Sequence, residues 1–191
     1  MEIDNYKPNT KIKHPTSEYS IVTIPRTGSH YLQDRIEQHT GVYVKRSHDL
    51  QDNKMITVIR DPIDFLSSYV AMDALYYKGG SLDHFLSFPE RYCFSDWFTD
   101  NDMDIVDNFD IIVKYESLIN SPFETVTKIA EKMSIRVIED RYKDNVVNQP
   151  YRNHVVTSKN IEGYDKIRQI VEQQDLTRTY EIYNKFLAKA I

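Results

Sequence analysis

Three short stretches of this sequence carry side chains able to act together on an anion. The first, Ile24-Pro25-Arg26-Thr27-Gly28-Ser29-His30-Tyr31, reads as the turn between a strand and a helix. Gly28 lets the backbone approach an anion closely, the free N–H groups from Thr27 to Tyr31 point at it, and the helix dipole adds favourable potential. Arg26 supplies a fixed positive charge, and the Thr27 and Ser29 hydroxyls supply donors. Alone, the string is equally a strand–helix turn with an exposed arginine. It is not the nucleoside-triphosphatase loop. That loop needs a lysine and a hydroxyl residue directly after its second glycine, to hold the β/γ-phosphates and Mg²⁺. Here His30 and Tyr31 follow Gly28-Ser29, and no earlier glycine opens such a loop. A metal-dependent kinase or GTPase is therefore disfavoured.

The second stretch runs from Ile56 to Ser68 and sets Arg60 at a strand end, with Ser68 two helical turns further on. Arg60 offers a planar fork suited to a phosphate. Ser68 can donate to the same group if the helix starts beside it. Without a ligand, Arg60 would pair with Asp61 or Asp64, and Ser68 would be a small helix-packing residue. The third stretch is Lys45-Arg46-Ser47-His48, where His48 stands at a strand end just before the strand that leads to Arg60. A histidine there can accept a proton at neutral pH. It is otherwise a surface residue in a polar turn.

These residues need a scaffold, and the pattern of the chain supplies one. Apolar runs at Tyr19 to Ile24, Val42 to Lys45, Met55 to Ile59 and Asp110 to Lys114 read as strands. Between them, Ser29 to Thr40 has helical spacing, with Leu32 and Ile36 on one face and Gly41 as its stop. Asp61-Pro62-Ile63-Asp64 gives an N-cap, a proline at the first helical position and an acid in the first turn. That helix runs to about Met72 and packs Phe65, Leu66 and Tyr69. Ser121-Pro122-Phe123-Glu124 reads as a capping box before a stripe of Phe123, Val126, Ile129, Ala130 and Met133. Residues 136–158 look irregular, and Leu176, Tyr180, Tyr183, Leu187 and Ile191 keep helical spacing to the last residue. Strands alternating with helices predict an α/β fold, a three-layer arrangement with a central, mainly parallel sheet flanked by helices. Ligands of such sheets bind outside the carboxyl ends of the strands, where all three stretches lie.

At 191 residues the chain is long enough for one core, so a single domain is expected, with residues 1–18 as a loose N-terminal arm. Its 24 basic and 29 acidic residues leave a net charge of −5, which argues against nucleic acid or an anionic membrane as a partner. The one cysteine, Cys93, forms no intramolecular disulfide and reads as a small buried hydrophobe. No apolar run reaches membrane-spanning length and the polar opening has no signal-peptide core, so a cytoplasmic protein is expected. His30, His39 and His48 recur at a spacing that fits no metal site. The aromatics between Tyr76 and Phe98 either line an acceptor pocket or fill a core.

Taken jointly, the motifs resemble a family. Pro25 to Tyr31 is similar to the 5′-phosphosulfate loop of the P-loop sulfotransferases, P-K/R-S/T-G-T/S-T/S-W. Arg60-Asp61-Pro62 with Asp64 and Ser68 is similar to their 3′-phosphate motif, and Val113-Lys114-Tyr115-Glu116-Ser117-Leu118 to their Y-E-D-L segment. The resemblance implies transfer of a sulfuryl group from 3′-phosphoadenosine 5′-phosphosulfate (PAPS) to a hydroxyl or amine of a small-molecule, carbohydrate or peptide acceptor. Arg26, Thr27, Gly28, Ser29 and His30 would bind the 5′-phosphosulfate, and Arg60 and Ser68 the 3′-phosphate. Tyr31 and Tyr115 would lie against the adenine end. Lys45 to His48 resembles the K-T-H segment, which makes His48 the catalytic base and Arg26 the electrostatic stabiliser. Carbohydrate-type members use a glutamate, for which Glu37 is the reserve candidate. Two departures stand out. The spacing from Arg26 to His48 is short, which reduces the wall of the acceptor pocket, and the R-K-G signature that closes over the 3′-phosphate is missing. Arg152 and Lys159 are the candidates to replace it. The alternative is a nucleotide-binding scaffold of the same fold without catalysis, and after it a P-loop kinase.

Overall fold

The computed structural model describes residues 15–23, 27–72, 106–138, 159 and 161–191. Arg26, Cys93, Arg152 and the aromatic stretch between Tyr76 and Phe98 lie outside the described residues. Four strands, β1 (Thr16–Val22), β2 (Tyr43–Ser47), β3 (Lys54–Ile59) and β4 (Ile111–Lys114), form one sheet in the order β2-β1-β3-β4. Every pairing is parallel. Among the described residues six α-helices accompany them: α1 (Ser29–Thr40), α2 (Pro62–Val70), α3 (Tyr115–Asn120), α4 (Pro122–Lys132), α5 (Tyr164–Glu172) and α6 (Thr177–Leu187).

Because side chains alternate along a strand, the buried sheet has two apolar faces. Ile56, Val58, Ile111 and Val113 meet Leu32 and Ile36 of α1 and Val126 and Ile129 of α4 on one face. Ile59 and Ile112 meet Ile182 and Phe186 of α6 on the other. Phe65, Leu66 and Val70 of α2 pack on Tyr164, Ile167 and Val171 of α5. The expected three-layer α/β arrangement is therefore present.

Several local expectations hold. Gly41 ends α1 in a left-handed conformation and its N–H bonds the Glu37 carbonyl. Asp61 caps α2, accepting from the N–H groups of Ile63 and Asp64, with Pro62 at the first position. Others need correction. β1 starts at Thr16, inside the segment expected to be a loose arm, because Thr16 pairs with Tyr43 and the Glu18 carboxylate holds Lys54 at 2.7 Å. The Ser121 side chain makes no cap hydrogen bond, so the capping box is not formed; only its carbonyl serves, accepting from the Thr125 N–H and hydroxyl. α5 was not anticipated, although Tyr164, Ile167 and Val171 have helical spacing behind Gly163. The last helix stops at Leu187, and Ile191 turns onto the open edge of β4. There its N–H bonds the Ile112 carbonyl at 2.9 Å and its carbonyl accepts from Lys114. An edge strand has unpaired backbone groups, and this contact satisfies two of them.

The segment 48–53 alone links β2 to β3, crossing β1 on the way. Asn53 pins it by donating to the Glu18 carbonyl and the Ser20 hydroxyl, both at 2.9 Å. Ser20 faces away from Tyr19 and Ile21, so the crossover covers the side of β1 opposite α1.

His39, in the last turn of α1, is fully buried with its ring edge-on to Phe123. Burial, aided by the charge of Arg35, pushes its pKa down to about 4. Burial thus outweighs the helix dipole, which would favour a charged ring there by about 0.3–1 kcal/mol. The unfolded chain takes up that proton near pH 6.5 and the folded chain does so only near pH 4. Stability from this group is complete above about pH 6.5 and is lost as pH falls toward 4, by at most about 1.4 kcal/mol per pH unit. Urea unfolding at steps between pH 7 and 4 should show a steeper loss for the wild type than for His39→Gln. Parallel curves would assign the acid sensitivity to other groups.

Candidate functional site

Chain order and sheet order diverge at one place. From β1 the chain moves outward to β2, then crosses back to β3 on the opposite side of β1, so the carboxyl ends of β1 and β3 flank a topological switch point. Thr27, Gly28 and Ser29 lie after one of these ends and Arg60 after the other.

Gly28 has φ 104° and ψ 17°, and its carbonyl accepts the first bond of α1 from Leu32 N–H at 3.0 Å. Thr27 and Ser29 are buried beside it, while His30 is exposed. The first turn of α1 carries no acidic side chain, so nothing there neutralises the positive end of its dipole. A Cβ on Gly28 would stand 2.6 Å from Cδ2 and 2.7 Å from Cε2 of Tyr115. The same ring carries the Arg60 guanidinium over its face, 4.7 Å from the centroid. Tyr115 thereby joins the Gly28 turn to the arginine of the second stretch, a contact that residue spacing could not reveal.

The start of α2 is fastened from three sides. Asp61 N–H reaches Glu116 Oε1 at 3.4 Å, and Asp61 Oδ2 accepts from the Tyr180 hydroxyl at 3.2 Å. Burial and the neighbouring Asp61 raise the Tyr180 pKa to about 12, so the phenol remains a donor. Asp64 pairs with Arg168 of α5, whose Nε also reaches Glu172 at 3.0 Å. Asp61 and Asp64 are thus each tied to a helix beyond α2, Asp61 to α6 and Asp64 to α5. Ser68 lies on α2 with its side chain buried. The contacts of Glu116, Tyr180 and Arg168 with the start of α2 are not legible in residue spacing, because the partners stand far apart in the chain.

His48 follows β2 directly, and its Nδ1 lies 2.8 Å from the Thr23 carbonyl at the end of β1. A carbonyl only accepts, so Nδ1 carries the hydrogen and, in the neutral ring, Nε2 keeps the lone pair. The ring is exposed. Tyr31 is half-buried with the Arg35 guanidinium 4.7 Å from its ring centroid. Glu37 stands eight positions after Ser29 in α1, about 12 Å along the axis, and is thus carried away from the loop. Lys159 is exposed.

Among the described residues, no three His, Cys, Asp or Glu side chains form a group able to hold a cation. None of the described helices is long and apolar enough to cross a membrane. An open cleft of about 490 Å³ lies between the start of α2 and the α5–α6 turn, lined in part by Ile63, Tyr180, Glu172, Asp175 and Glu181. Three carboxylates make it unsuited to a polyanion, and the loop chemistry lies elsewhere.

No family model matches the chain, and no curated protein sequence matches it. Among solved structures, mouse sulfotransferase SULT7A1 complexed with PAP aligns over 90% of each chain at 17% identity, with a TM-score of 0.39. That likeness is too distant to bear on activity.

Proposed function

We propose that this chain is a sulfotransferase that binds PAPS and transfers its sulfuryl group to a hydroxyl or amine. The observation that carries this reading is the junction of two anion-suited strand ends through one ring: Tyr115 lies against Gly28 and beneath Arg60. On this reading the N–H groups at the head of α1, with Arg26, Thr27, Ser29 and His30, hold the 5′-phosphosulfate. Arg60 and Ser68 hold the 3′-phosphate, and Tyr31 and Tyr115 serve the adenine end. His48 Nε2 takes the proton of the acceptor as its oxygen or nitrogen bonds to sulfur. The sulfur–oxygen bond to the nucleotide breaks, and Arg26 offsets the charge left on that oxygen.

Adenosine 3′,5′-bisphosphate, the product nucleotide, should raise the melting temperature more than ATP or GTP, with or without Mg²⁺. At a hundred times its dissociation constant a ligand adds about 2.7 kcal/mol, roughly 5–10 °C for a chain of this size. Equal shifts from ATP and the bisphosphate would sink the assignment. One observation favours a second reading, a nucleotide-binding protein without transfer activity. Among the described residues, His48 and the two residues after it are exposed. A bisphosphate shift, with no transfer of labelled sulfuryl group to any hydroxyl or amine in a broad panel, would select it.

A further inference from the structure

The chain has no R-K-G signature, so something else must close the 3′-phosphate side of the proposed site. The packing of α5 on α2 offers a candidate. Asp64 and Ser68 are four residues apart on α2, and Tyr164 and Arg168 four apart on α5, so each pair shares one helical face. The ion pair between Asp64 and Arg168 brings these faces together at the start of α2, next to Arg60. Tyr164 is only 4% exposed, and among the described residues its hydroxyl oxygen meets only Arg168, which can donate but not accept, so the phenol's own hydrogen has no acceptor there. Arg168 stands beside it, but its Nη1 and Nε are directed at Asp64 and Glu172. Burial first, then the charge of Asp64, raise the Tyr164 pKa, while the hydrogen bond from Arg168 and the charges of Arg60 and Arg168 act against them. The phenol therefore keeps its proton and lies within the field of both guanidiniums. A buried donor without an acceptor is costly, and natural structures keep few of them.

We propose that the Tyr164 hydroxyl is a donor to the nucleotide's 3′-phosphate, completing from α5 the site begun by Arg60 and Ser68. Arg168, held by Asp64, is the positioning residue that fixes Tyr164 and adds positive potential beside it. The assignment rests on the nucleotide reading above and extends it to a helix that no motif marks. It also makes Tyr164 a specificity residue, since its contact exists only for ligands with a phosphate on the 3′ oxygen.

Calorimetry with adenosine 3′,5′-bisphosphate and adenosine 5′-monophosphate, on the wild type, Tyr164→Phe and Arg60→Ala, tests this. A hydrogen bond to a charged group is worth enough that Tyr164→Phe should weaken the bisphosphate about tenfold or more. The monophosphate should bind as before. The ligand-free melting temperature should hold or rise, because the variant removes a buried hydroxyl whose hydrogen has no acceptor in the ligand-free chain. Unchanged bisphosphate affinity would overturn the assignment. So would a lowered ligand-free melting temperature or equal losses for both ligands, which would mean that the hydroxyl serves the fold. If Arg60→Ala alone loses selectivity for the bisphosphate, the nucleotide reading stands and Tyr164 falls. A wild type that does not prefer the bisphosphate overturns both.

Discussion

Replacing His48 with alanine should lower turnover by about 10²–10⁴-fold and leave nucleotide affinity nearly unchanged. In the proposed arrangement the ring belongs to neither phosphate site, so its loss should not touch ground-state binding of the donor. Among the described residues the ring is held by Nδ1, which bonds the Thr23 carbonyl at 2.8 Å. That contact leaves Nε2 as the lone pair able to receive the acceptor proton. Alanine removes both nitrogens at once, so a second variant is needed to separate them. His48→Asn keeps an N–H in reach of the Thr23 carbonyl and has no basic nitrogen. If His48 is the base, asparagine should be as inactive as alanine. If the ring only anchors the 48–53 crossover to β1, asparagine should restore most of the turnover. The assay needs labelled donor and a working acceptor, or slow hydrolysis of the donor where none is found. Wild-type turnover in His48→Ala would move the base elsewhere, and Glu37 would be tested next despite its distance from the loop.

What was legible in the sequence was local. The strand-to-helix turn at Gly28, the cap and proline opening α2, and the stop at Gly41 are read from residues within one turn of each other, and all three are formed. The parallel sheet followed from the alternation of its elements. What escaped has partners far along the chain. Tyr115 meets Gly28, Tyr180 meets Asp61, and Arg168 meets Asp64, in each case across at least 87 positions. Only the strand order brings such residues together. Tyr180 read as one more apolar residue on a helical stripe, although its hydroxyl serves the α2 cap. The end of the last helix was misplaced for a related reason. Spacing through Ile191 favours a helix, but the unpaired edge of β4 offers its backbone better partners.

Gly28→Ala should be the most disruptive small substitution in the described part of the site, for two separable reasons. At φ 104° an L-residue is strained, at about 1–3 kcal/mol for such a conformation. The new methyl would also meet the Tyr115 ring at 2.6 Å, and forced overpacking costs roughly another 1–3 kcal/mol. Relief by movement of Tyr115 would drag the ring from beneath Arg60, so the loop and the arginine should both be disturbed. The variant should therefore lose about 2–6 kcal/mol of stability and at least about tenfold in bisphosphate affinity. Gly41→Ala carries a comparable backbone penalty at the far end of α1, yet it should leave the affinity intact. Tyr115→Ala supplies the decisive comparison. It removes the steric part of the Gly28→Ala effect and leaves the backbone strain. The double variant should then be less destabilised than the sum of the singles, by about 1–3 kcal/mol. Strict additivity in urea unfolding would mean that the ring does not bear on Gly28. The junction that carries the functional proposal would then be lost with it.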